Sequence, residues 1–276
     1  MIGAVFLLLA LSIILLAIGW LIGGVAGISI ALILAVLINI SVYWYSDKIV
    51  LRAYAAQPLE DKKIKKIVEH LCQEAKLPIP KLYLVKKKVP NAFATGRNPK
   101  HAALAVTSGI LELEDEEIEG VLAHEIGHIK NKDMLISTIA ATIAAAIAYI
   151  AQIGYWSLFF SGDERGEGNI LGLILIVIFA PIAALVIRAA ISQSREYHAD
   201  FTGTLMTKKP HALANALKKI SQVAKNNPIV GPASTGNLWI VNPFHADWFT
   251  NLFSTHPPIE KRIKRLEDLE VEQLKT

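Results

Sequence analysis

Residues Met1 to Ser46 contain no Asp, Glu, Lys, Arg or His. A helix needs about 20 apolar residues to cross the ~30 Å hydrocarbon layer of a bilayer, so this block is long enough for two passes. Gly19, Gly23, Gly24 and Gly27 around Trp20 mark a turn between them, and Tyr43, Trp44 and Tyr45 suit the water interface where the second pass ends. A second charge-free block runs from Met134 to Gly162 and a third from Gly168 to Ile187, separated by Asp163-Glu164-Arg165-Gly166-Glu167. The reading is four spanning helices in two hairpins. A cleaved signal peptide is a poor description of the first block, which lacks a basic start and is far longer than the ~7–15 apolar residues such signals carry.

Lys and Arg give the orientation. The turn near Gly23 carries none, and the Asp163 loop has only Arg165 beside three acids, whereas Lys48, Arg52, Lys62, Lys63, Lys65 and Lys66 follow the second span. That side is expected to be the cytoplasm. The chain is 53% hydrophobic and 19% charged, with a formal net charge of +4. Basic residues flanking spans account for that charge through anionic lipid headgroups. Clustered Arg with interleaved aromatics, the mark of nucleic-acid binding, is missing from the sequence. Cys72 is the only cysteine, so no intrachain disulfide can form, and it reads as a structural residue of an amphipathic helix.

Between the membrane blocks, Pro58 to Lys76 patterns as a helix with Ile64, Ile67, Val68 and Leu71 on one face. Lys81 to Val85, Asn91 to Gly96 and Ala102 to Thr107 pattern as strands, the last two joined by Arg97-Asn98-Pro99-Lys100. A helix then leads into the third span. Beyond the fourth span, helices are predicted over Arg188 to Leu205 and Pro210 to Lys225, then a loop over Asn226 to Asp247 and a closing helix from Pro257 to about Gln273. The expected organisation is therefore 1–46, two spans; 47–133, one half of a water-facing domain; 134–187, two spans; and 188–276, the other half.

The chemistry sits at His124-Glu125-Ile126-Gly127-His128. On a helix, His124 and His128 stand one turn apart on one face and can hold a zinc ion from one side. Glu125 can then reach a water on the metal, whose pKa the ion draws towards ~7, and act as general base for hydrolysis. A catalytic zinc needs a third protein ligand and an open position. The strongest candidate is Glu196 in Ser194-Arg195-Glu196-Tyr197-His198-Ala199-Asp200. Glu196 and Asp200 share a helix face, so one carboxylate can ligate while the other accepts the second ring N–H of a ligand histidine. His198 points elsewhere and reads as a packing residue.

Four motifs occur in order: Pro90 to Arg97, His124 to His128, Ser194 to Asp200, and Ser254-Thr255-His256-Pro257-Pro258. With the paired spans between them, the chain resembles the HtpX family of membrane zinc endopeptidases, and more distantly is similar to the CAAX prenyl proteases. The resemblance implies a mainly α membrane protein with an α+β, zincin-like metallopeptidase domain and a small sheet. It implies one zinc held by His124, His128 and Glu196, Glu125 as base, and Asp200 as the partner behind a ligand. It further implies that Asn91, Ala92, Phe93 and Ala94 form a strand pairing with substrate backbone, and that His256 and Arg262 face the active site as donors to the developing oxyanion. The partners implied are protein substrates, chiefly misfolded membrane proteins, and the bilayer.

Two other readings compete. An intramembrane protease would bury the motif in an apolar span, but residues 111 to 133 carry Glu112, Glu114, Asp115, Glu116, Glu117, Glu119, Lys130, Lys132 and Asp133, a prohibitive load of charge. A catalytically silent zinc-binding scaffold has no use for Glu125, and a structural zinc site normally fills all four positions, often with cysteines that this chain lacks.

Overall fold

The computed structural model describes residues 2–144, 193–229, 233–244 and 257–269. Helix α1 spans Ile2–Ala53 and is broken at Gly23 and Gly24, the latter at φ 55°. The break reverses the chain, because no side chain crowds a glycine out of that conformation. Gly19 and Gly27 then face each other so closely that a Cβ on Gly27 would stand 2.0 Å from the Gly19 carbonyl oxygen. Further along, the Asn39 amide donates to Ser12 Oγ at 2.8 Å and to the Leu8 carbonyl at 3.3 Å, tying the two limbs. The limb Gly23–Ala53 is long and apolar enough to cross a membrane, and Gly3–Ala17 and Met134–Ala144 are shorter apolar helices. The rest of the third expected span, and all of the fourth, lie outside the described residues.

The helix expected from Pro58 starts later. Gln57–Pro58 is instead a two-residue strand, β1. Helix α2 spans Lys62–Ala75 because Asp61 caps it, its carboxylate accepting from the Ile64 N–H at 2.9 Å. Strands β2 (Lys81–Val85), β3 (Ala92–Gly96) and β4 (Ala102–Thr107) complete a mixed sheet of order β1-β2-β4-β3. β2 and β4 run parallel, with Tyr83 opposite Ala105, while β3 returns antiparallel on β4, with Ala94 opposite Leu104. Gly96, at φ 131°, makes that return possible: a Cβ there would meet the His101 carbonyl oxygen at 2.3 Å.

Helix α3 spans Asp115–Asn131, and its first turn is fixed by Glu117, whose carboxylate accepts from the Glu114 N–H at 3.0 Å. It does not continue smoothly into the third span. Lys132 turns left-handed at φ 61°, its N–H bonds to Ile129 O, and the Asp133 N–H bonds to His128 O at 3.0 Å. This is a Schellman ending with Lys in place of the usual Gly, and a new helix, α4 (Met134–Ala144), begins after it.

Two further helices, α5 (Gln193–Thr207) and α6 (Pro210–Asn226), cover α3. Helix α7 (Ile259–Glu267) packs on α6. The core joins Ile64, Val68, Leu71 and Cys72 of α2 to Leu104 and Val106 of β4, Ile118, Leu122 and Ile126 of α3, and Leu213, Leu217 and Ile220 of α6. The described residues are thus mostly helical with a small mixed sheet, and α3 lies at the centre.

Candidate metal centre

On α3, His124 and His128 project from one face, their rings 4.7 Å apart and nearly perpendicular. Glu196 reaches them from α5. Its Oε1 lies 3.5 Å from His128 Nε2 and its Oε2 lies 3.9 Å from His124 Nε2. One donor atom from each of the three residues falls within 4.8 Å of the others. Donors held tetrahedrally by zinc at about 2.0–2.2 Å stand about 3.3–3.6 Å apart, close to the two carboxylate–imidazole distances seen here.

The far side of each imidazole is also engaged. His124 Nδ1 lies 2.8 Å from Asp200 Oδ1, and His128 Nδ1 lies 3.6 Å from Asp133 Oδ2. Carboxylates there keep the proton on Nδ1 and leave Nε2 as the ligand atom. Asp200 was expected in such a place. Asp133 was not: it stands five residues past His128, and only the left-handed turn at Lys132 swings it back. The one hint in the sequence is a carboxylate just beyond the end of the motif helix.

Arg262 of α7 is wholly buried. Its Nε and Nη2 donate to the two oxygens of Asp200 at 2.9 and 2.7 Å, and its Nη1 donates to the Ile240 carbonyl at 2.9 Å. These bonds aim the guanidinium at Asp200. His256 lies outside the described residues. His198 is exposed on α5, turned away from the cluster.

Burial and charge set the protonation states. Burial, and after it the Arg262 charge, lowers the His124 pKa to about 4, so this imidazole is neutral and able to ligate. At His128 burial acts in the same direction but is outweighed by the Asp133 carboxylate 3.6 Å away and the Glu196 charge, raising it to about 9, so an ion binding there would displace the Nε2 proton. At Asp200 the Arg262 charge overcomes burial and holds the carboxyl near 2. Burial pushes the Glu125 carboxyl up to about 7; His128 opposes the shift, Glu196 adds to it, and the Ala94 N–H opposes it by donating to the carboxylate. A group poised there can both take and return a proton near neutral pH.

Ala94 belongs to β3, whose inner edge pairs with β4. The Asn91 carbonyl accepts from the Thr107 N–H, so by strand alternation the backbone groups of residues 92 and 94 face outward. That outer edge is covered by the chain itself. The Ile240 N–H donates to the Ala92 carbonyl at 3.2 Å, and the Asn91 amide donates to the Val241 carbonyl at 2.7 Å. Trp239 is fully buried against Phe93 and Tyr54, at ring distances of 4.8 and 4.9 Å, and donates from Nε1 to the Tyr54 hydroxyl at 3.0 Å. The cavity between Ala94, His124, Glu125, His128, Glu196 and Trp239 is about 20 Å³. That holds one water or ion and no peptide. This cover is not legible in the sequence, because residues 226 to 247 show no helical or strand period.

Two histidines and a carboxylate from two packed helices, with a second carboxylate beside them in the same cavity, form a candidate metal site of the kind a metallopeptidase needs. The profile of peptidase family M48 matches residues 58–270, and the chain belongs to that family. It is 47% identical over 273 residues to the protease HtpX homolog of Syntrophobacter fumaroxidans, covering 95% of this chain and 97% of that one. It is 49% identical to that of Pyrococcus furiosus (94% and 92% covered) and 51% identical to that of Aquifex aeolicus (92% and 88% covered). Among solved structures, Ste24p of S. mikatae aligns with a TM-score of 0.49 and 19% identity over 97% of this chain and 65% of that one. The protein is a membrane metalloprotease of the HtpX type.

Proposed function

We propose that this chain is a multi-pass endopeptidase holding one zinc ion, which hydrolyses peptide bonds of misfolded or damaged membrane proteins at the cytoplasmic face. The observation that carries the reading is the meeting of one ring nitrogen each of His124 and His128 with a Glu196 oxygen within 4.8 Å, in a cavity that Glu125 also lines. When bound there, a zinc-like ion supplies Lewis acidity to the scissile carbonyl and to the attacking water. Glu125 would take the proton of the attacking water and return it to the leaving amine. Asp200 and Asp133 hold the ligand rings in register. Arg262 acts through Asp200 as a positioning residue, and His256 is left as the candidate donor to the oxyanion.

Substrate would add to the outer edge of β3, which offers main-chain hydrogen bonds to any extended sequence. Such a peptide must first displace residues 238 to 241. Membrane proteins are the proposed substrates because the spans hold the cleft beside their cytoplasmic loops at high effective concentration.

The runner-up, a silent zinc-binding scaffold, is disfavoured by Glu125 itself, which lies beside the ligands in the cavity with its pKa near neutrality. The deciding experiment compares the detergent-purified parent with Glu125→Gln, measuring zinc content and cleavage of an unfolded model protein. One zinc in each, with turnover about 10²–10⁴-fold lower in Glu125→Gln, is the expected result. Equal turnover in both would sink the assigned role of Glu125.

A further inference from the structure

Away from the metal, a cavity of about 560 Å³ opens where α1, α4 and the β3–β4 connection meet. Its floor is apolar, formed by Tyr43, Met134 and Ile136 among others, and its rim carries Arg97, Lys100 and Lys132. No acidic residue lines it among the described residues. The nearest acid in sequence, Asp133, is engaged by His128 and by Arg195 Nε at 3.7 Å. The Arg97 guanidinium carbon lies over the Trp44 ring, 4.4 Å from its centroid.

The depth of this cavity follows from its lining, on the reading of α1 and α4 as membrane helices. Tyr43 and Trp44 belong to the aromatic cluster before Asp47, the first charge in the chain, and Met134 opens the charge-free run of α4. Aromatic belts sit at headgroup level. The floor therefore faces the hydrocarbon boundary, while the three cations stand at the level of phosphates. A free anion would find the apolar floor useless, and an apolar peptide would leave three cations unmatched. A molecule with an anionic phosphate and acyl chains satisfies both.

We propose that this cavity is a binding site for an anionic glycerophospholipid, its phosphate between Arg97, Lys100 and Lys132 and its acyl chains against Tyr43, Met134 and Ile136. Basic pockets between membrane helices on the cytoplasmic side suit such headgroups. Met134 also lines the metal cavity, and Arg97 directly follows β3, so the lipid would touch both walls of the active site. The proposal rests on the membrane reading above.

The test uses the full chain. Flotation on phosphatidylcholine vesicles checks the membrane reading by itself, since a chain that fails to float is not a membrane protein and the proposal falls with that reading. Native mass spectrometry of the detergent-solubilised protein, incubated with equal phosphatidylglycerol and phosphatidylcholine, then counts retained lipid. We expect at least about a tenfold preference for phosphatidylglycerol, lost in Arg97→Gln/Lys100→Gln/Lys132→Gln, which should still float. The preference should survive in Lys62→Gln/Lys66→Gln, which removes exposed positive charge elsewhere. Equal retention of both lipids by the floating parent overturns the proposal. So does equal loss in both variants, which would indicate diffuse surface charge. Displacement of phosphatidylglycerol by millimolar inorganic phosphate would make this an anion site and overturn it as well.

Discussion

Arg262 shows how much a single buried side chain can fix. Its paired bonds to Asp200 hold that carboxylate against His124 Nδ1, and its third bond holds the Ile240 carbonyl, so one guanidinium links a metal ligand to the segment over β3. Truncating one member of a buried ion pair leaves the other charge uncompensated and costs about 3–5 kcal/mol. Arg262→Met is therefore expected to lower thermal stability and to weaken zinc affinity about 10–100-fold, as loss of support behind a ligand does. Arg262→Lys keeps the charge without the two-pronged geometry and should recover part of both. A chelator competition assay separates this from the role that the family resemblance implies. A direct donor to the oxyanion would, on removal, cut kcat and leave zinc affinity unchanged. The motif His124 to His128 announced its own chemistry because helical spacing alone places both rings. Glu196 and Asp200 were legible for the same reason. Arg262 and Asp133 were not legible as partners, since one arrives from a separate helix and the other through a left-handed turn.

At the scale of elements, the metal geometry depends on how closely α5 approaches α3. Gly203 makes that approach possible: a Cβ there would stand 2.9 Å from the Ala123 carbonyl carbon and the His124 nitrogen. Gly127 acts likewise towards α5, where an added Cβ would meet Ala199 O at 2.9 Å, and Gly120 lets α6 approach, where it would meet Leu213 N at 2.9 Å. The atoms in the way are backbone and cannot swing aside. Gly203→Ala should cost about 1–3 kcal/mol by overpacking and, because it pushes directly on His124, should weaken zinc binding as well. Thermal melts and zinc titration check it, and an unchanged affinity would mean that the seam does not set the ligand geometry.

The β3 edge carries a second element-scale prediction. If extended substrate pairs with β3, residues 238 to 241 must leave it. In Glu125→Gln loaded with an unfolded protein, amide hydrogen exchange should quicken over residues 236–241 while β3 gains protection. Unchanged exchange over 236–241 would place the substrate elsewhere. Short apolar runs bounded by turn signals located β2, β3 and β4 in the sequence, although β3 and β4 are buried at every residue, and α6 was legible from its one apolar face. Such patterns could not locate the cover on β3, whose anchor is a single aromatic ring in an aperiodic stretch, nor the tiny strand at Gln57–Pro58, which is held only by pairing with β2.

For the whole molecule, the metal centre itself constrains topology. His124 lies before the second pair of apolar blocks and Glu196 after it, yet their ligand atoms meet at 3.9 Å. Any crossings of the membrane between His124 and Glu196 are therefore expected to be even in number, so that both halves of the centre end on one side. The sequence supplies two charge-free blocks there, and the loop between them holds only Arg165 as a cation, against Lys48, Arg52, Lys62, Lys63, Lys65 and Lys66 on the catalytic side. By the bias of basic residues towards the cytoplasm, residue 165 should be outside and residue 62 inside. Cysteine labelling with a membrane-impermeant maleimide can read this directly. The native Cys72 should stay silent, since it is buried and burial pushes its thiol up to about 11. Arg165→Cys is expected to label in intact cells, and Lys62→Cys only after permeabilisation. If both label only after permeabilisation, residues 134 to 187 do not pass through the bilayer as two spans. The even count would then be zero, and the protein would be held by its first hairpin alone.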